Sequence, residues 1–212
     1  STATIVASTF AHNLSGSGGY SSWPGSGGNG AAIANAGELA LTNSTISANT
    51  AGNGAHGDFM GGAGGSGGGI SNIGVLRISA TTIAENRAGT GGSSSMGGPG
   101  KDGEGGGIST SIDALSRGLI LAANVATVGP NCSGTLDSRG YNLIASVAGC
   151  TLTGTTTGNI TGRAAKLGPL ADNGGGTFTY LPASNSPALN ASICQTVDDQ
   201  PLLYDQRWVH RP

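Results

Sequence analysis

The sequence predicts an all-β fold, a parallel β-helix (solenoid) with protruding glycine-rich loops, and three observations predict it. The first is a period. Ser26–Gly52 and Ala63–Gly89, laid over each other at an offset of 37, match at 12 of 27 positions, the self-similarity of a repeat architecture. The second is the apolar pattern inside each unit. Short alternations rich in β-branched residues, Leu39/Leu41 and Ile46 followed by Leu76/Ile78 and Ile83, read as strands. No helical apolar stripe interrupts them before residue 130. The third is the placement of glycine, which supplies 41 of 212 residues. Glycine takes 7 of 15 positions in Gly16–Gly30, 10 of 18 in Gly52–Gly69 and 10 of 19 in Gly89–Gly107. Glycines confined to matching segments describe loops of a repeat rather than a disordered chain.

Taken in order, the first unit is incomplete: STATIVASTFAHN at the N-terminus matches only the later strands of a coil. Complete units follow, and each closes on an asparagine. Asn13, Asn49, Asn86 and Asn124 are spaced by 36, 37 and 38 residues, a drift that loops absorb. An asparagine at a tight turn adopts the left-handed conformation and bonds to its equivalents above and below, so these four are expected to form a ladder. Three short strands per turn, stacked along an axis, place isoleucine, leucine and valine in columns. The glycine segments leave from one edge at matching heights, where two readings stay open. They pack on one another, having no side chains to hold backbones apart, or they are flexible. The expected division is residues 1–128 as repeats, 129–168 as final coils and 169–212 as a C-terminal cap or exchange segment.

Three stretches carry a resemblance. The repeat pattern GGGIxNxGxLxLxxSTIxxN, then GPNCSGTLDSRGYNLIASVAGC, then LGPLADNGGGTFTYLPASNSPALNA resemble bacterial surface proteins with a choice-of-anchor Q domain. The resemblance covers nearly the whole chain and is strongest over Gly129–Cys150 and Leu167–Asn190. It implies a right-handed coil, export, and a C-terminal tether beyond the segment DQRWVHRP. It also implies a disulfide between Cys132 and Cys150, which bracket the strand-like Tyr141–Val147; two reduced core thiols are the alternative. Cys194 is left over, either missing a partner or poised to pair between subunits.

Composition excludes several function classes. Charged residues are 9% of the chain and the net charge is −2, so no basic face exists to neutralise nucleic-acid phosphates or anionic lipid. The longest apolar stretch, Leu119–Val128, is about half of what a bilayer span needs and contains Asn124. Local motifs fail on context. Gly52–Gly57 matches a dinucleotide fingerprint but no helix follows it, and Gly64–Gly68 has nucleophile-elbow spacing with only His210 after it. Gly97–Asp102 imitates a calcium-binding nonapeptide without aspartates one repeat earlier. No Cys/His cluster has zinc spacing. No catalytic, cofactor-binding or metal-binding residue is therefore assigned.

Polysaccharide lyases and hydrolases are the enzymatic rival, and they need paired carboxylates or a basic proton acceptor. Glu38 and Glu85 fall at different positions in their units, and Lys101–Asp102–Glu104 sits on a glycine loop. Asp198–Asp199, beside Asp205 and Arg207, reads as a solvated cap segment. Tyr20, Trp23 and Phe59 lie on separate loops, which argues against an aromatic platform for sugars. The expected function is a non-catalytic extracellular or cell-surface structural protein that self-associates head-to-tail into a filament, sheath or matrix fibre. Its expected partners are copies of itself and cell-surface glycans, with no cofactor, nucleic acid or membrane span. An adhesin or stalk module of a longer surface protein is the alternative within the same class.

Overall fold

The computed structural model describes residues 1–212 and consists of strands and turns with no helix. The first repeat supplies β1 (Thr2–Val6) and β2 (Thr9–Ala11). The second supplies β3 (Ile33–Asn35), β4 (Glu38–Thr42) and β5 (Thr45–Ser47), and the third β6 (Ile70–Asn72), β7 (Val75–Ser79) and β8 (Thr82–Ala84). The fourth supplies β9 (Ile108–Thr110), β10 (Ala114–Arg117) and β11 (Ile120–Ala122). Shorter layers follow: β12 (Cys132–Arg139), β13 (Leu143–Ile144), β14 (Cys150–Thr155) and β15 (Ile160–Thr161), then the hairpin β16 (Leu167–Ala171) and β17 (Thr179–Pro182).

Every pairing among β1–β15 is parallel and joins one layer to the next. Leu39 sits beside Leu76 and Leu41 beside Ile78; Phe10, Ile46, Ile83, Leu121 and Ile144 run in one row. These rows form the core: fourteen buried residues, among them Leu41, Ile70, Leu76 and Ile108, make a single cluster. Like side chains one repeat apart fill the interior with one kind of contact, the quasi-one-dimensional logic of repeats.

The expected right-handed solenoid is corrected. The strands do not keep three separate stacked faces. They form one curled nine-stranded sheet, ordered β1-β4-β7-β10-β12-β9-β6-β3 with β14 also on β12, and a second six-stranded parallel sheet, β15-β13-β11-β8-β5-β2. The fusion happens at β12. Its first residues, Cys132 and Ser133, pair with β9, while Leu136–Ser138 pair with β10. Gly134, at φ 105°, lies at the bend between them, a backbone state that L side chains rarely adopt. The 37-residue period also ends there: Ala114 pairs with Leu136 and Gly134 with Cys150, because no glycine excursion lengthens these layers. The glycine segments leave the strands as expected, and of the two open readings the packed one holds, since their backbones bond one another.

Residues 169–212 fold back along the chain's own strands. The Asn43 side-chain amide donates to the Tyr204 carbonyl at 2.8 Å, and the Val197 amide donates to Ser79 Oγ at 3.0 Å. Arg117 is the main pin. Its guanidinium reaches the carbonyl of Arg139 at 3.0 Å, that of Thr196 at 2.7 Å and the Asp199 carboxylate at 2.6 Å.

Candidate recognition tip

Each glycine excursion runs outward and back beside itself. Gly28 N–H bonds Gly16 O, Gly65 N–H bonds Gly52 O and Gly103 N–H bonds Gly89 O, each at 2.8 Å. Three residues further out, Gly25 bonds Gly19, Gly62 bonds Ala55 and Gly100 bonds Gly92. This three-residue period is that of a polyproline II strand, whose backbone groups are free to bond sideways in several directions. Other amides of the same arms bond the next excursion, as in Gly18 to Asn53 O and Gly54 to Thr90 O, both at 2.8 Å. The result is an array of six extended arms cross-linked mainly by backbone, with the Asn29, Asn53 and Asp102 side chains each accepting a further amide. Where the arms touch there is no room for a side chain: a β-carbon on Gly52 would collide with the Gly16 carbonyl, and one on Gly92 with that of Ala55.

Because the arms share one register, with Ser21, Gly57 and Ser94 bridged in parallel, their ends meet. The Tyr20 and His56 rings stack, 5.9 Å between centroids with planes 7° apart. The imidazole continues to the third arm, with Nδ1 2.8 Å from Ser93 Oγ and Nε2 3.1 Å from Ser95 Oγ. Asp58 accepts from Ser22 Oγ at 2.8 Å and from the Tyr20 hydroxyl at 2.9 Å. Those two bonds, the Ser22 one first, hold its carboxyl below the usual aspartate value, and nearby His56 adds to the effect. The same Asp58 contact raises the Tyr20 phenol. Beside this polar column stands an apolar one. The Trp23 and Phe59 rings are 5.6 Å apart, with Met96 at the matching position of the third arm. Trp23 is 70% exposed, Met96 68%, Tyr20 67% and Phe59 49%. An apolar group this exposed is a candidate interaction site.

The expectation that Tyr20, Trp23 and Phe59 are apart is thus corrected: stacking of the excursions unites them. The signal was available in the offset of 36 that separates Tyr20 from His56, Ser22 from Asp58 and Trp23 from Phe59, equal to the spacing of Asn13 and Asn49.

The four closing asparagines share one corner of the stack, with Asn49, Asn86 and Asn124 buried and Asn13, in the first layer, exposed. Asn13 Nδ2 donates to Asn49 Oδ1 at 2.8 Å, Asn49 to Asn86 at 2.8 Å, and Asn86 to Asn124 at 3.0 Å; Asn124 continues to Asn131 at 3.2 Å. The left-handed residue is not the asparagine but the one before it: His12, Ala48, Glu85 and Ala123 have φ between 53° and 61°. Turning the chain one residue early points the asparagine inward, where its amide bonds both neighbouring layers.

Cys132 and Cys150 form a disulfide, and Cys194 is free and half-buried. A disulfide is compatible with export to an oxidising compartment, and no helix is long and apolar enough to cross a membrane. Asp198 and Asp199 diverge to Arg77 at 3.7 Å and Arg117 at 2.6 Å. Asp102 accepts from Thr127, and Glu104 from Ser133. No group of three or more His, Cys, Asp or Glu side chains is placed to hold a metal ion. A cleft of about 300 Å³ lies between the six-stranded sheet and the folded-back segment, with Thr82, Ile120, Leu143, Tyr180 and Arg207 in its walls. Burial pushes the Tyr180 phenol up to about 12; its hydroxyl lies 2.5 Å from Ser47 Oγ and donates to Glu85 at 2.9 Å. Comparison with protein-family models, curated proteins and solved structures finds no match.

Proposed function

We propose that the protein is a non-catalytic recognition module of an exported bacterial surface protein, an adhesin or stalk unit whose glycine array is a rigid arm and whose tip makes the contact. One observation carries the reading: Tyr20, Trp23, Phe59 and Met96, drawn from three separate excursions, converge exposed at the end of an array of closely packed glycine arms. Tyrosine and tryptophan give large contact area at low entropic cost, and serine and glycine give adaptable hydrogen bonds, the composition of loop-built binding surfaces. The scatter of the charged residues supports a non-catalytic role: pairs such as Glu38–Arg77 and Asp205–Arg207 stand apart from one another and from the tip. Beads coated with the protein are expected to adhere to at least one of a panel of bacterial, plant and animal cell surfaces. Adhesion is expected to fall with the double variant Trp23→Ala/Phe59→Ala. Equal adhesion by wild type and variant, or none by either, overturns the reading.

A second reading, head-to-tail self-association into a filament, sheath or matrix fibre, is favoured by a different observation. β1 and β14 lie at opposite ends of the stack, each with one edge unpaired, and an unpaired edge is a template for another strand. Residues 169–212 lie along their own chain, so the joint under this reading is strand edge to strand edge rather than an exchanged tail. Negative-stain electron microscopy tests it: fibres support it, and isolated particles at every concentration exclude it.

A further inference from the structure

Resting on the recognition reading, we infer that the tip binds a neutral glycan, a polysaccharide of uncharged hexoses, with Trp23 and Phe59 as the stacking surface and Asp58 as the hydroxyl acceptor. Pyranose rings present two kinds of surface, a face of C–H groups and a rim of hydroxyls. The tip presents the complements of both, side by side. The Trp23 and Phe59 rings are exposed and adjacent, 5.6 Å apart and tilted by 35°. The electron-rich face of an aromatic ring attracts the polarised C–H face of a sugar as it does other positive edges.

The rim is matched next door. Each Asp58 oxygen accepts one bond, from Ser22 or Tyr20, and an ionised carboxylate has lone pairs for more. Its carboxyl is kept ionised by those donors, so it accepts from sugar hydroxyls throughout the neutral range. Ser93 and Ser95 add hydroxyls that are already oriented by His56.

Charge selects within the class. The tip segments Tyr20–Pro24, His56–Met60 and Ser93–Pro99 contain no lysine or arginine and one carboxylate. A uronate, sialate, sulfate or phosphate would meet Asp58 with no lysine or arginine in these segments to pair with, whereas a neutral sugar meets no such penalty. A protein partner of apolar face is the competing occupant. It would cover Asp58, Tyr20 and the serines without bonding them, and unsatisfied polar groups at an interface cost binding energy.

The test uses the full chain with laminarin, dextran, mannan and galactan as neutral probes, and polygalacturonate and dextran sulfate as acidic ones, by calorimetry. Binding of at least one neutral probe is expected, weakened about tenfold or more by Trp23→Ala or Phe59→Ala, as for central aromatic contacts. Asp58→Asn is expected to weaken it less, and Lys101→Ala not at all. Unchanged thermal melts of the variants show that loss is local. No binding of any neutral probe overturns the inference, as does neutral binding that Trp23→Ala leaves intact, or tighter binding of the acidic probes. The cell-adhesion assay separates this failure from that of the underlying reading. If adhesion depends on the tip but survives periodate oxidation of the cells and is lost on protease treatment, the partner is a protein. The glycan inference then falls while the recognition module stands. If adhesion does not depend on the tip, both fall.

Discussion

Ser116 is the one buried side chain whose hydroxyl finds no partner. It occupies the row of Leu41 and Ile78, between Ile78 on β7 and Ser138 on β12, so a polar group interrupts an apolar column. A buried hydroxyl left unbonded forfeits its hydration without return, and Ser116→Ala is expected to raise unfolding free energy by about 1 kcal/mol, measured by urea denaturation. Asp58 gives the opposite kind of effect, visible only at the tip. Its pKa is lower folded than unfolded, so its bonds stabilise the tip above the ordinary aspartate value of about 3.9. That contribution is lost as pH falls through the lower, folded value. Acid titration followed by the NMR signals of Tyr20 and His56 is expected to show their stacking loosen in that window, and Asp58→Asn to remove the step. These residues show how far the sequence could be read. The closing asparagines announced themselves by spacing, yet the left-handed turn at Ala48 or Glu85 did not, since nothing in an alanine or glutamate signals it. The Asp58 cluster was hidden for another reason: its members are adjacent only once three loops share a register.

At the level of elements, the glycine arms stand apart from the strands in how they are held. Strands in the curled sheet bury leucine and isoleucine; arms bury backbone, and most of their bonded amides reach a carbonyl in a neighbouring arm. Their tolerance to substitution is therefore set by position. Gly92→Ala places a methyl against the Ala55 carbonyl and is expected to destabilise by about 1–3 kcal/mol, the usual range for overpacking. Gly98→Ala, where a β-carbon meets nothing within 4 Å, is expected to change little. Thermal melts of the two variants make the comparison, and equal melts would show that the arms are not packed. The choice between packed and flexible loops could not be made from glycine content, which suits both. It turns on whether bonds between outgoing and returning arms recur every three residues along both, a property of the folded register.

On the scale of the molecule, repeat spacing made the parallel pairing legible as far as Asn124, and the fold departs from expectation where the period stops. β12, with eight residues, takes over the work of two earlier strands, and the layers around it are clipped together by Cys132–Cys150. That bridge closes a separation of 18 residues, for which the chain-entropy account gives about 3 kcal/mol. Reduction is expected to lower the urea midpoint accordingly, with Cys194→Ser behaving as wild type. The return of residues 169–212 was illegible because that segment has no repeat to align, and its anchor, Arg117, looked like any strand arginine. One consequence of the array concerns descent rather than stability. Its packed glycines, such as Gly52 and Gly92, are hemmed in by one another's backbones and can scarcely vary, while Tyr20, Trp23, Phe59 and Met96 face outward, about half or more of each in solvent. Mutation therefore explores one short set of positions while leaving the support untouched. Lineages of this protein are expected to diverge in target by rewriting that set, with arm lengths and glycine positions inherited almost unaltered.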